Sequence, residues 1–453
     1  MSSLRTGLAA GAARAAGGLS RLAGRGGTSL PGKVLLRLDP DAIAALGARL
    51  PLGSVVVSAT NGKTTTAAMA ASILERRGER LVHNRAGANR AGGIAATLLT
   101  ARGERGLFEV DEMWLDGVVR QLRPQALLLG NLFRDQLDRY GELETIADRW
   151  QAIVDSGAAR RLVLNADDPT VADLGRDRDD VLYFGVEDDG VALPQLQHAS
   201  DATHCRRCGA PYVYDAHYLG HLGRYRCESC GARRPEPAVR ALDVRLNGVA
   251  GASFRLDLVG GGSAPVSLPL PGLYNVYNAL AAAALTHALG ASLEQIADGL
   301  QSVRAAFGRA ERVIAAGRQL SIMLVKNPAG ANEVLRTLAL EQGEHDLLAV
   351  LNDNIADGRD VSWIWDADFE LLGGRVRRVT CSGTRAAEMA LRLKYAGIPV
   401  ERIAVEEDLA RALDGALAGG AQGAPLFVLP TYTAMLALRE QLVERGAARE
   451  SFA

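Results

Sequence analysis

Residues 54–66 read SVVVSATNGKTTT, and their order of residue types decides the fold. The β-branched run Val55 to Val57 predicts a buried strand, Ala59 to Gly62 break it, and Lys63 opens a helix that runs to Arg77 before Gly78 ends it. A strand that turns through glycine into a helix N-terminus is the setting of a phosphate-binding loop. Peptide N–H groups there face an anion, Lys63 can reach the β and γ oxygens, and the Thr64 hydroxyl can ligate magnesium. The general pattern GxxxxGK[ST] asks for glycine where Val57 stands. An ordinary polar turn, however, does not need Gly-Lys-Thr-Thr at a helix start. Thr60, Asn61, Gly62, Lys63, Thr64 and Thr65 are therefore taken as the nucleotide loop.

Outward from this loop, short apolar runs alternate with helical stretches: QALLLGN, RLVLN before the turn ADDP, and VLYFG. Alternation of this kind predicts a parallel sheet with helices on its faces. Around ALDVRLNGV and ASFRLDLVG the pattern changes to an antiparallel edge, and LYNVYNALAAAALTHALG and SLEQIADGLQSVRAA predict helices. SIMLVKNP, HDLLAVLND, RVRRVTCSG, ERIAV and PLFVLP then give a second, smaller alternating unit. With 453 residues the chain exceeds one core. The expected division is an N-terminal arm and lead-in at 1–50, a central ATP-binding domain at 51–308 and a C-terminal Rossmann-like α/β domain at 309–453. In the lead-in, LPGKVLLRLD suggests a short strand or loop, with a helix from about Pro40 to near Pro51. The arm, rich in Arg, Ala and Gly and without acids, is expected to be mobile or weakly helical rather than a transit peptide.

Hydrophobic residues at 48% and charged ones at 23% suit an ordinary globular protein, and no apolar run approaches the roughly 20 residues that span a bilayer. A formal net charge of -1 supplies no general field for a nucleic-acid backbone. Four of the five cysteines form two pairs, Cys205/Cys208 and Cys227/Cys230, separated by eighteen residues within an insertion at 200–235. That spacing predicts a closed tetrahedral, structural Zn²⁺ site, and it suits a reducing compartment better than disulfides would. Cys381 ends a strand with no nucleophile-elbow context.

The loop SATNGKTTT is similar to that of the Mur ligases and folylpolyglutamate synthetases, with Ala59 where those families carry glycine. FEVDE (108–112), GNLFRDQLDRYGELE, LVLNADDP, LYNVYNALAA and FGRAER resemble further blocks of the same families. The resemblance implies a Mg²⁺-holding role for Glu109, positions near the nucleotide for Asn165, Asp168, Asn275 and Asn278, and an interdomain position for Arg309. Gln136 stands where the family has a metal-assisting histidine. The four-cysteine insertion and LNDNIADGRDVSWIWD resemble the branch that amidates a cell-wall stem peptide. That implies ATP as cofactor, lipid II or a related precursor as substrate, and ammonia delivered by a GatD-type glutaminase subunit in a heterodimer. It also implies a cytoplasmic enzyme acting at the inner membrane face. By the same resemblance Asp357 is the catalytic aspartate, with Asp353 as runner-up.

Asp353, Asp357 and Asp360 follow a buried strand, where α/β domains place ligands, although a solvated loop capping the next helix would also use such residues. Lys326, Asn327 and Asn332 can line the interdomain cleft or merely form a turn and cap. Two rival functions stand beside amidation: an amino-acid-adding Mur ligase or folylpolyglutamate synthetase, and a zinc-ribbon interaction or nucleic-acid-binding module.

Overall fold

The computed structural model describes residues 2–22, 29–84, 87–135, 143–198, 200–303, 309–419 and 424–448. Two sheets organise it. The larger is built from β1 (Ser54–Ser58), β2 (Leu81–His83), β3 (Arg105–Glu109), β4 (Ala126–Leu129), β5 (Leu162–Asn165) and β6 (Val181–Val186). After an inserted hairpin, β7 (Val213–Leu219) and β8 (Leu222–Arg226), it is completed by β9 (Val239–Leu246), β10 (Ala252–Leu258) and β11 (Gly262–Leu268). Its order is β11-β10-β9-β6-β5-β4-β1-β3-β2. Strands β1 to β6 run parallel, β9 joins parallel to β6, and β9, β10 and β11 form an antiparallel edge.

β1 lies inside this sheet, between β3 and β4, and all five of its residues are buried. Strands covered on both faces read as continuous apolar runs, which is why SVVVS, ALLL and LVLN carry no alternation. One face packs on the helices Lys63–Arg76, Leu273–Ala288 and Leu293–Gln301. The other packs on Ala91–Thr100, Leu115–Leu122 and Leu143–Asp155.

The second sheet contains β12 (Arg309–Ala315), β13 (Arg318–Met323), β14 (His345–Val350), β15 (Val376–Ser382), β16 (Ile403–Val405) and β17 (Leu426–Pro430). Its order is β12-β13-β17-β14-β15-β16, parallel except for the β12/β13 hairpin. The helices Pro328–Ala339 and Ala386–Tyr395 cover one face, and Leu409–Ala418 and Tyr432–Glu444 the other.

The lead-in corrects one expectation. LPGKVLLRL is a helix, Leu30–Leu38, with proline in its first turn, where no N–H is missed. It lies against Ala91–Thr100 so closely that a Cβ on Gly32 would stand 1.7 Å from the Gly92 carbonyl oxygen. Glycine makes this approach possible, and contact replaces the strand propensity of Val34 to Leu36. The arm is likewise a packed helix, Ser2–Leu22: Ala9, Ala10 and Ala13 are buried, and the Thr6 hydroxyl donates to Asp39 at 2.6 Å.

Candidate functional site

The carboxyl ends of both sheets face one cleft of about 650 Å³. β1 delivers Thr60 to Thr65, β3 delivers Glu109 to Glu112, and β4 delivers Asn131 to Asp135; the second sheet contributes Lys326, Asn327, Asp357, Thr431 and Tyr432.

The loop geometry follows from local sequence. Gly62 has φ 87° at the start of the helix, and a Cβ there would lie 1.9 Å from Asn278 Oδ1, so glycine permits both the turn and the approach of Asn278. Asn278 accepts from the Thr66 hydroxyl at 3.3 Å and donates to Asn275 at 3.0 Å, and Asn275 in turn donates to the Pro271 carbonyl. Asn278 therefore lines the cleft, while Asn275 stands behind it as its support. Asn165 and Asp168 are buried outside the cleft lining: Asn165 accepts from the Asp167 N–H, and Asp168 caps the helix Pro169–Asp173. Arg309 begins β12, but its side chain lies outside the described residues, as does all of Gln136.

The Lys63 ammonium donates to the Ala59 carbonyl and to Glu112 at 2.9 Å. Burial works against its charge, but Glu112, Asp111 and Asp135 outweigh that and raise its pKa, so it stays a cation. Glu112 was not expected from the sequence, although it lies in the same FEVDE block as Glu109. The Glu109 backbone is fixed by a reciprocal pair with Asn84, at 3.0 and 2.8 Å. Its carboxylate is 1% exposed, lines the cleft and meets no hydrogen-bond donor among the described residues. A buried carboxylate without donors, lining the same cleft as Thr64 of the phosphate loop, fits a Mg²⁺ ligand set of hard oxygens.

Asn61 and Asn327 join the domains through a reciprocal amide pair at 3.3 and 3.0 Å. Lys326 pairs with Asp135 at 2.6 Å. Asn332 turns away from the cleft and donates to Asp368 at 2.9 Å. Asp357 lines the cleft, buried, and accepts from the Thr433 N–H at 2.7 Å and its hydroxyl at 2.5 Å. Burial raises its pKa against the pull of these donors. Asp353 is outside the lining, pinned by Arg385 at 2.9 Å and by Thr384. Asp360 accepts from the Ser362 N–H at 2.8 Å, a local turn contact just before a short 3₁₀ turn.

The four cysteine sulfurs lie within 4.8 Å of one another, with Cys205 Sγ and Cys230 Sγ 3.6 Å apart and Cys208 Sγ and Cys227 Sγ 3.4 Å apart. Zn–S bonds of about 2.3 Å in a tetrahedron put sulfurs about 3.8 Å apart, so the set fits one Zn²⁺. Each pair is followed by glycine, Gly209 and Gly231, both at φ 75°, and each Gly N–H returns to the first cysteine's carbonyl. Cys381 is buried in β15, and burial pushes its thiol up to about 12, which suits no nucleophile.

The insertion also braces the nucleotide loop. Asp201 accepts from the Arg134 N–H at 2.8 Å and from its guanidinium, and Phe133 packs on His221, ring centroids 4.6 Å apart. The same segment reaches the loop: Asn131 accepts from the Asn61 N–H at 2.9 Å, and the Phe133 N–H donates to the Thr60 hydroxyl oxygen at 3.1 Å.

A phosphate loop and acidic strand ends facing a second α/β domain across a cleft define a Mur-type ligase. The Mur ligase middle domain model matches residues 57–220, and the MurT ligase C-terminal model matches residues 324–435. Among curated proteins, the chain is 34% identical to the MurT subunit of lipid II isoglutaminyl synthase (glutamine-hydrolyzing) of Streptococcus pneumoniae, over 95% of each chain. It is 32% identical to the subunit of the same name from Staphylococcus aureus strain N315, over 93% of this chain and 94% of that one. The chain belongs to the MurT family.

Solved structures agree on the fold. A pseudomurein peptide ligase type C from Methanothermus fervidus has a TM-score of 0.70 at 24% identity, covering 88% of this chain and 80% of that chain. MurF ligase from Thermotoga maritima in complex with ADP has a TM-score of 0.62 at 14% identity, covering 92% and 85%.

Proposed function

We propose that this chain amidates the D-glutamate α-carboxylate of the lipid II stem peptide to D-isoglutamine, using ATP and ammonia supplied by a GatD-type glutaminase subunit. The observation that carries this reading is the 34% identity to a MurT subunit across 95% of both chains, which spans the nucleotide loop, the cysteine insertion and the Asp357 loop. The relatives are named as subunits of a glutamine-hydrolyzing enzyme, which supports a partner subunit. No helix among the described residues is long and apolar enough to cross a membrane. The proposed substrate, a peptidoglycan precursor, has the chain act in the cytoplasm and meet lipid-linked substrate at the inner membrane face.

In the first step a substrate carboxylate oxygen attacks the γ-phosphorus of ATP, the bond to the β-phosphate oxygen breaks, and ADP leaves an acyl phosphate. Ammonia then adds to the acyl carbon and phosphate departs, giving the amide. Thr60 to Thr65 cradle the phosphates with peptide N–H groups, and Lys63, held as a cation, offsets charge on the transferring phosphoryl group. ATP must draw Lys63 from Glu112, which keeps the ammonium in place beforehand. Thr64 and Glu109 would hold Mg²⁺, which neutralises charge on the β and γ oxygens when bound. Asn278 positions the loop, the Asn61–Asn327 pair brings the second domain over the nucleotide, and Asp357 acts from that domain at the cleft. Zn²⁺ on Cys205, Cys208, Cys227 and Cys230 is structural, because four thiolates leave no open position.

The test is amidation of lipid II by the purified chain with ATP, Mg²⁺ and a high concentration of ammonium salt, followed by mass spectrometry. Amide formation with ammonium but not with glutamine, and glutamine use restored by the glutaminase, is the expected result. Addition of an amino acid in place of ammonia would overturn it.

A further inference from the structure

The helix Ser2–Leu22 turns an apolar side to water. Between Arg5 and Arg14 its only polar side chain, Thr6, is buried with Ala9, Ala10 and Ala13 against the protein. A rotation of about 100° per residue puts Leu8, 77% exposed, at the centre of the opposite side with Ala12, while Arg5 and Arg14 stand on its two flanks. A helix on a protein surface normally keeps polar side chains outward, and one that is apolar on both sides calls for cover. The helix Leu30–Leu38 continues the pattern, with Leu30 and Leu38 exposed beside exposed Lys33 and Arg37. Arg5 donates to the Leu38 carbonyl at 3.1 and 3.0 Å, so the two helices meet at this exposed edge.

The charge of this surface names its partner. Residues 1–38 carry six Arg and Lys and no Asp or Glu, in a chain whose formal net charge is -1. The nearest acids in sequence, Asp39 and Asp41, follow both helices, and Asp39 is buried, where it accepts from Thr6. Arg90 and Arg102, exposed at the two ends of the neighbouring helix Ala91–Thr100, add further cations. Outward leucines among cations are what a helix lying in the headgroup layer of an anionic bilayer presents. A nucleic-acid backbone would use the cations and leave Leu8, Leu30 and Leu38 in water.

We infer that the helices Ser2–Leu22 and Leu30–Leu38 seat the chain on the surface of an anionic bilayer, without spanning it. The use of this contact rests on the amidation reading, which supplies a lipid-linked substrate. Ser29, immediately before the second helix, and Arg90 both line the cleft, so a seated arm brings the rim of the cleft to the headgroups that carry that substrate. The attraction falls off within a Debye length of the surface, so it weakens as salt is added.

The test sediments the full chain, without substrate, with vesicles of equal parts phosphatidylglycerol and phosphatidylcholine and with vesicles of phosphatidylcholine alone. Binding to the anionic vesicles only, weakened by salt, is the expected result. One cation near such a surface strengthens binding about fivefold, so Arg5→Gln with Arg14→Gln should weaken it about 25-fold, and Leu8→Ser should weaken it roughly tenfold. ATP binding by these variants, and their amidation of lipid II dispersed in non-ionic detergent, should match the parent. Should loss of the Arg5 bond to Leu38 loosen the helix, as read by circular dichroism, Lys33→Gln with Arg37→Gln must give the same fall. No binding to anionic vesicles, equal binding to both lipids, or binding unchanged in the variants overturns the inference. So does capture of an RNA duplex with vesicles ignored, which would mark a nucleic-acid surface, or loss of vesicle binding once the glutaminase is added, which would mark a subunit interface. If the parent chain fails to amidate lipid II even in detergent, the amidation reading itself fails, a result distinct from any outcome with vesicles.

Discussion

Asp201→Ala would cut the link between the cysteine insertion and the nucleotide loop without touching a metal ligand. The Asp201 side chain is 5% exposed and accepts two donors of Arg134, the peptide N–H at 2.8 Å and the guanidinium. A hydrogen bond to a charged acceptor contributes about 1.5–3 kcal/mol. The ion pair adds only about 0–1 kcal/mol, because Arg134 is 38% exposed and solvent screens it. The segment after β4 thus loses on the order of 2–4 kcal/mol of order. Asn131 and Phe133 of that segment hold Asn61 and Thr60, so nucleotide binding must restore what the mutation loosened. If half the loss is recovered at that moment, about 1–2 kcal/mol, the Kd for ATP weakens roughly 5–30-fold. Calorimetric titration with Mg-ATP reads this directly, with zinc content measured on the same samples and expected to stay at the parent value. Asp201→Asn, which keeps an acceptor for the peptide N–H, should lose less. An Asp201→Ala protein that melts earlier yet binds ATP with the parental Kd would refute the bracing argument.

Lys63→Ala should abolish ATP-dependent amidation while the folded protein survives, read by turnover beside circular dichroism; near-normal turnover by a folded variant counts against the loop assignment. Metal analysis of freshly reduced protein should find about one zinc per chain, and Cys208→Ser or Cys227→Ser should lower the melting temperature; absence of zinc sinks the ribbon reading. Asp357→Asn should abolish amidation from ammonium and from glutamine alike. Failure with glutamine alone would assign Asp357 to ammonia production or transfer. Because the Glu333 carboxyl is raised when folded, the native state holds more protons than the unfolded chain, and stability falls as pH climbs from the ordinary carboxyl range through about 7. Glu333→Gln removes that loss, so it should gain melting temperature over the parent at about pH 8 and lose the advantage at about pH 5. A gain that does not vary with pH would show that burial of the charge is not its source.

The sequence by itself determined what short stretches encode. SVVVS is a strand because β-branched residues covered on both faces need no alternation, and Gly62 turns it into a helix N-terminus because only glycine tolerates that φ beside Asn278. The paired cysteines, each followed by a glycine with positive φ, are likewise local and were legible by spacing alone. Elsewhere local propensity pointed the wrong way: LPGKVLLRL looks extended, and close contact through Gly32 and Gly92 makes it a helix. Proximity in sequence to a matching block also failed to separate Asn278, which reaches the cleft, from Asn275, which stands behind it, since both sit one turn apart on one helix. Tertiary structure alone decided that Glu112 meets Lys63 and that Asp135 meets Lys326, and it places Asp357, which the resemblance ranked above Asp353, on the cleft wall. Glu333 is the extreme case. In sequence it is one more acid on an amphipathic helix, and only the packing of that helix across the domain joint strips it of water, which raises its carboxyl against the pull of Arg336 and the Tyr274 N–H.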